Sequence, residues 1–358
     1  MGKIPVSVCI IAKNEEKYIE GCLQRLIPYG FEIVVADTGS TDRTKEIAAK
    51  YADKVVDFPW VNDFSAARNY CASCASHNWI LSLDCDEYVE NIDIQNLRII
   101  MQKCKKYIGI IRLKNLIYTE TGEKRYTSDD VSRFYNKNYF HYEASIHEQL
   151  CPIKKGNVQE PTISCVILPM EVVHHGYLIS KEEMAEKQKR NLQLLHQALG
   201  KEPDNPYLYF QIGQSEFILD HYEQAIESYE KGLTYDVDPS ILYVEMMIEG
   251  LATTYMHADR FQDAVHLIEK YQGRCKTAKY AYVSANIYMD NEMPIKALLN
   301  YIKAVSMPNR DSLGEGLLKC YEMIIHLYRE MGNEEMANLF VDKYQTCVKE
   351  RDRILNNT

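Results

Sequence analysis

Proline and glycine are scarce, 11 and 16 in 358 residues, and there are 2 tryptophans. Beside a 46% apolar composition, that scarcity excludes a collagen-like or low-complexity chain and a disordered one. Basic charge is in deficit: 41 Lys and Arg face 51 Asp and Glu, a net charge of -10. A general nucleic-acid binder carries a basic face, so no nucleic-acid partner is expected. Long apolar runs are missing. The stretch from Ile4 to Ala12 is followed at once by Lys13-Asn14-Glu15-Glu16. It is far short of the ~18 uncharged residues of a membrane span, and it lacks signal-peptide flanks. A framework of paired cysteines is missing too. The 11 cysteines are odd in number and scattered from Cys9 to Cys347. The one CxxC, Cys71 and Cys74, has no second pair to complete a zinc site, and reads as small packing residues on a helix. Free thiols in this number imply a reducing compartment, so the expectation is a soluble, cytoplasmic protein without a membrane span.

What is present has two periods. A chain of this length predicts two to three domains and can bury a core without staples. In the first half, β-branched runs alternate with helical spacing. Val6 to Ile11, Glu32 to Ala36, Lys54 to Phe58 and Trp79 to Leu83 read as strands. Glu15 to Leu26, a segment ending at Ala49 that Ser40 or Thr41 can cap, and Asp63 to Ser76 read as helices. Alternation of this kind predicts a parallel sheet with helices on both faces. Ligands then bind beyond the strand ends, at loops such as Asp37-Thr38-Gly39 and Asp84-Cys85-Asp86.

From Lys181 the pattern is helical and repeats itself. Tyr209, Gly213, Ala225, Tyr229 and Gly232 fit a tetratricopeptide frame. So do sets built on Ala252 and Ala264, on Ala285 and Ala297, and, more weakly, on Tyr328 and Ala337. The anchors Ala225, Ala264, Ala297 and Ala337 are 39, 33 and 40 residues apart, which places insertions near Asp238-Pro239 and Pro308-Asn309. Small residues let paired helices approach while aromatics fill the seam.

Asp84-Cys85-Asp86-Glu87 follows an apolar strand directly. Two carboxylates at i and i+2 past a strand end can reach one hard divalent ion. Asp37 ends another strand, where it can accept hydrogen bonds from a base or ribose. Arg68, in Asp63-Phe64-Ser65-Ala66-Ala67-Arg68-Asn69, offers a fork for a diphosphate beside a helix N-terminus.

Together these segments resemble the family 2 glycosyltransferases of the GT-A fold. The match runs through Val8 to Glu16, Ile33 to Asp42, Ala66-Ala67-Arg68-Asn69 and Ile80 to Glu87. The resemblance implies an α/β GT-A catalytic domain over 1–180 with a Rossmann-like parallel or mixed sheet. A helical linker over 181–203 and an all-α tetratricopeptide-like domain over 204–358 follow. It also implies a UDP-sugar donor held with Mg²⁺ or Mn²⁺. On that basis Asp37 contacts the nucleoside, with Ala12, Asn14, Glu15, Gly39 and Ser40 around it. Arg68, Asp84 and Cys85 also fall in the nucleotide-sugar site, and Asp84 and Asp86 form the DxD motif that meets the metal. The family carries Arg-Phe and then His-Glu beyond the sheet, as in Arg133-Phe134 and Ile146-His147-Glu148-Gln149-Leu150. A closing segment is Val173-His174-His175-Gly176-Tyr177. Alignment favours His174 over His175 as the third metal contact.

Inverting transfer needs a base opposite the departing nucleotide. Glu148 fills that role on this resemblance, with His147 orienting the acceptor and Asp86 serving the metal. Domain order resembles that of bacteriocin-modifying peptide glycosyltransferases of the sublancin type, and this resemblance implies as acceptor a Ser, Thr or Cys side chain of a peptide held by the repeats. The alternatives are a lipid-linked or cell-surface glycan acceptor, and a non-catalytic scaffold keeping a nucleotide-binding remnant. The same repeats can serve self-association into a homodimer.

Overall fold

The computed structural model describes residues 4–118, 122–153 and 163–356. They fall into two compact units, 4–118 with 129–178, and 122–128 with 179–356.

The first unit is built on β1 (Val6–Ala12), β2 (Glu32–Asp37), β3 (Lys54–Asp57) and β4 (Trp79–Leu83). β1 lies between β2 and β4 and is parallel to both, and β3 adds in parallel to β2. The crossovers are α1 (Ile19–Leu26), α2 (Thr44–Tyr51) and α3 (Phe64–Cys74). In α1 the buried residues Ile19, Cys22, Leu23 and Leu26 form one stripe that closes on the sheet. Successive residues of β1 serve opposite faces: Val8 and Ile10 join one apolar cluster with Leu23 and Leu81, and Cys9 joins another with Val34, Cys71 and Ile80. Cys71 is fully buried on α3, the packing role its spacing predicted.

The sheet then changes direction. Next come β5 (Glu87–Ile92), α4 (Ile94–Lys103), β6 (Tyr107–Tyr118) and β7 (Lys124–Asn136), of which 129–136 belong to this unit. β8 (Phe140–Glu143), β9 (Gln149–Pro152), β10 (Ser164–Ile167) and β11 (Met170–His174) complete it. Strand order is β3-β2-β1-β4-β7-β6-β11-β5, with β10 also on β6 and β8–β9 as a separate antiparallel pair. β7 is antiparallel to β4, β11 is parallel to β6 and antiparallel to β5, so the sheet is mixed. Two registers place the site. Ala12 pairs with Asp37 and Ile10 with Leu83, bringing the ends of β1, β2 and β4 to one edge. His174 pairs with Glu87 on one side and Asn115 on the other.

The second unit contains α5 (Lys181–Lys201), α6 (Pro206–Ile218), α7 (Tyr222–Leu233), α8 (Leu242–His257) and α9 (Phe261–Tyr271). It continues through α10 (Ala278–Asp290), α11 (Pro294–Ser306), α12 (Glu315–Glu330) and α13 (Glu334–Asn356). A capping box of Ser180 and Glu183 starts α5. Within the 181–203 segment expected as a helical linker, residues 181–201 form α5, which clusters with this unit. The four tetratricopeptide frames coincide with α6–α7, α8–α9, α10–α11 and α12–α13. Their anchors Ala225, Ala264, Ala297 and Ala337 are all fully buried. At Gly213 a Cβ would stand 2.5 Å from the Tyr229 ring, so only glycine lets α6 and α7 approach this closely. Among the described residues, no helix is long and apolar enough to cross a membrane.

Candidate active site

The loops after β1 and β2 are laced to each other. Thr38 N donates to Ala12 O at 2.8 Å, Asn14 N to Ser40 Oγ at 3.0 Å, and Glu15 N to Thr44 Oγ1 at 2.7 Å. Thr41 N returns a bond to Asn14 Oδ1 at 2.8 Å, with Asn14 in the left-handed region at φ 57°. Ser40 and Thr41 thus join loops rather than cap α2, whose first residue, Thr44, donates its N–H to Asp42 Oδ1 at 3.0 Å. At the end of β2, Asp37 is buried. Its Oδ2 accepts from Gly39 N and Ser40 N, both at 3.1 Å, and its Oδ1 has no hydrogen-bond partner. Buried acceptors are ordinarily satisfied, so this unpaired oxygen is an exception.

Beyond β4 two buried arginines order the carboxylates. Arg68 on α3 gives Nε to Glu148 Oε1 at 2.5 Å, Nη1 to Ser82 Oγ at 3.0 Å and Nη2 to Asp84 Oδ1 at 2.8 Å. Its guanidinium also lies over the Tyr142 ring, 5.6 Å from the centroid. Arg133 on β7 gives Nη2 to Asp84 Oδ2 at 2.7 Å and to Glu87 Oε1 at 2.6 Å. Glu87 Oε2 accepts from Asp84 N at 3.0 Å. Burial alone would raise the Asp84 carboxyl, but Arg133 and Arg68 outweigh it and hold it well below the usual range. Glu87 goes the other way: burial raises it, against the pull of Arg133. Burial works against both guanidinium charges as well, yet the surrounding carboxylates push Arg68 and Arg133 up.

Three of the expected residues have protein partners in this structure. Arg68, read as a fork for a diphosphate, has its donors directed at Glu148, Ser82 and Asp84. Asp84, read as a metal ligand, turns one oxygen to each arginine. Cys85, placed in the nucleotide-sugar site, buries its thiol against Ile11 O at 3.7 Å, and burial pushes that thiol well up.

Asp86 is the carboxylate that meets His174, with Oδ2 3.2 Å from Nε2. Gly176 closes over the pair. A Cβ there would collide with Asp86 Oδ2 and lie 2.7 Å from His174 Nε2, so the backbone can pass only as glycine. The Tyr177 ring stands edge-on to His174, centroids 4.7 Å apart. Among the described residues, no group of three His, Cys, Asp or Glu side chains is arranged to hold a metal ion. Of the expected trio, Asp84 has both oxygens on arginines, while Asp86 and His174 face each other. An oxygen and an imidazole nitrogen remain, a donor pair that fits a divalent ion whose other positions are filled by phosphate and water.

Glu148 has one oxygen on Arg68 and its Oε2 outside that pair. His147 beside it sits at φ 51°, with Ala144 at φ 74° in the same turn. Burial lowers the His147 imidazole, opposed in part by Glu148, which favours the neutral ring. Its Nε2 is buried with no hydrogen-bond partner. Sequence reasoning did not select Glu87, Arg133, Ser82, Tyr142, Asn115 or Gly176 for the site. Arg133 and Gly176 stood inside quoted motifs and Glu87 adjoins the acidic pair. Asn115, Ser82 and Tyr142 carried no such signal.

Residues 7–152 match the sequence model of Glycosyl transferase family 2. The chain is similar to the SPbeta prophage-derived glycosyltransferase SunS of Bacillus subtilis, 26% identical over 310 residues that cover 83% of this chain and 70% of that one. It is similar as well to a TPR repeat-containing protein of Synechococcus elongatus, 29% identical over 214 residues, 58% of this chain and 51% of that one. Among solved structures, a crystal structure of MamA aligns with a TM-score of 0.40 at 17% identity, covering 49% of this chain and 99% of that one.

Proposed function

Because residues 7–152 match the Glycosyl transferase family 2 model, we propose that this chain is a glycosyltransferase that moves a hexose from a UDP-sugar to a Ser, Thr or Cys side chain of a peptide, with inversion and with Mg²⁺ or Mn²⁺ as cofactor. One observation carries the reading. Two buried arginines fix Asp84, Glu87 and Glu148, and leave Asp86 as the acid turned to an imidazole nitrogen. The unsatisfied Asp37 Oδ1 supports a nucleoside donor, because an imide N–H is the type of group it lacks. The peptide acceptor is supported by the resemblance to bacteriocin-modifying glycosyltransferases and by the paired-helix repeats that follow the catalytic unit.

In this reaction the acceptor oxygen or sulfur bonds to the anomeric carbon while the bond from that carbon to the diphosphate oxygen breaks. Glu148 Oε2 takes the acceptor proton, and Arg68 on Oε1 keeps the group aimed. A thiol acceptor asks less of Glu148, being partly thiolate already. Neutral His147 presents Nε2 beside Glu148 as an orienting contact for the acceptor. Asp86 and His174 would hold the divalent ion, which when bound supplies positive charge opposite the diphosphate.

Isothermal titration of UDP in the presence of Mn²⁺ tests the donor site. Asp86→Ala should weaken binding at least tenfold, and Glu148→Gln should bind donor normally while losing transfer to a hydroxyl peptide. Absence of Mn²⁺-dependent UDP binding by the unaltered protein rejects the donor site. Turnover undiminished in Glu148→Gln moves the base elsewhere. Transfer to a lipid-linked glycan, with Ser, Thr and Cys peptides inert, replaces the acceptor class.

A further inference from the structure

His174 has two ring nitrogens, and the strand beside it decides which one carries the proton. Asn115 on β6 is the register partner of His174 on β11, and it is buried at 2% exposure. Its Nδ2 lies 2.7 Å from Asp129 Oδ2, and its Oδ1 lies 2.8 Å from His174 Nδ1. A carboxylate only accepts hydrogen bonds, so the amide nitrogen of Asn115 must be the end facing Asp129. The carbonyl end is then the one facing His174, and Nδ1 must be the donor. In the neutral form this is the ring's one N–H, and Nε2 keeps a lone pair that a cation can take. That lone pair faces Asp86 Oδ2, a second acceptor, at 3.2 Å. A cation seated there would take both Nε2 and the Asp86 oxygen as ligands. Gly176 leaves the space beside the pair clear of a side chain.

We propose that Asn115 and Asp129 are positioning residues that fix His174 as a nitrogen donor to the divalent cation, so that metal affinity is set partly from β6 and β7, outside the acidic motif. The inference rests on the divalent-ion reading above. The two fail differently. Outer partners of metal-bound histidines hold the ring and its tautomer, and losing them typically costs 10–100-fold in metal affinity.

The experiment uses the full chain and Mn²⁺ itself as the probe, with bound and free ion read by electron paramagnetic resonance, with and without UDP. Asn115→Leu keeps the side-chain volume and removes the acceptor, and should lose about 10–100-fold in Mn²⁺ affinity. The exchanged pair Asn115→Asp with Asp129→Asn restores the polarity, since a carboxylate at that position of β6 would accept from both the imidazole and the new amide on β7. It should return affinity to within about threefold of the unaltered protein, taking a tenfold loss as 1.4 kcal/mol. A merely structural role would not be rescued by reversing the polarity of the pair. If the unaltered protein binds Mn²⁺ and Asn115→Leu binds it equally, or if the exchanged pair binds no better than Asn115→Leu, the relay is overturned while the metal site stands. If the unaltered protein binds no Mn²⁺, both fall together.

Discussion

Asp84 divides its two oxygens between Arg68 and Arg133, and this bridge determines what its neighbours can do. Each arginine is buried and each also holds a second acid, Glu148 for Arg68 and Glu87 for Arg133. Removing one partner of such a network strands a buried charge, at a cost of about 3–5 kcal/mol. Arg133→Met should therefore lower the urea midpoint by that equivalent, and adding Glu87→Gln should recover part of the loss because the stranded acid is then neutral. A single variant within about 0.5 kcal/mol of the parent, the range of an ordinary surface change, would contradict the network. These contacts also mark the limit of reading residues from sequence. Asp84 and Asp86 are legible because they end an apolar strand. The true partners of Arg68 are not, because Glu148 is 80 positions away and no local pattern encodes that meeting. An arginine near a helix start reads equally as a phosphate fork or as a brace, and here its donors meet two carboxylates and a serine.

At the scale of elements, β1 to β4 were legible because central parallel strands are continuous apolar runs. β6 and β7 were not, since Arg112, Lys114, Asp129, Asp130 and Arg133 interrupt them, and their pairing depends on distant segments. The register of β11 against β6 and β5, which builds the His174 environment, is non-local in the same way. The helical repeats were legible because small anchors recur at set positions, but the acids inside α8 were not anticipated. Glu245 and Glu249 stand one turn apart there, both buried. Glu245 accepts from Thr277 N at 2.7 Å and Lys276 N at 3.1 Å, closing the start of α10. Thr277 Oγ1 has one proton and lies 2.6 Å from Glu245 but 3.2 Å from Glu249. Glu249 is thus poorly satisfied, and burial, opposed by Lys279, pushes it up to about 7. An unfolded glutamate titrates near ~4.3. Between those values the folded chain binds the extra proton, so stability falls as pH rises through the window and stays low above it. Glu249→Gln should melt higher than the parent at pH 8, with the gap closing by pH 4.5. Circular dichroism at both pH values measures it. A gap independent of pH would show that Glu249 is already ionised or already paired.

At the scale of the whole molecule, the two units hold separate cores. The clusters around Ile10 and Cys9 draw only on the first, and the cluster around Tyr229 and Tyr301 only on the second. Every residue assigned to donor chemistry lies in the first unit, and Glu249 lies in the second. A ligand that binds only the folded state adds RT ln(1 + [L]/Kd), about 2.7 kcal/mol at a hundredfold excess over Kd, and adds it to whichever unit owns the site. Two perturbations should therefore separate in a calorimetric scan of the intact chain. UDP with Mn²⁺ should raise one transition and leave the other in place. Glu249→Gln at pH 8 should raise the second and leave the first. A divided response assigns donor binding to the sheet and pH sensitivity to the repeats as independent properties. A single transition moved by both would mean that the chain unfolds as one cooperative body, so that donor binding in the sheet stabilises the helices that would carry the acceptor.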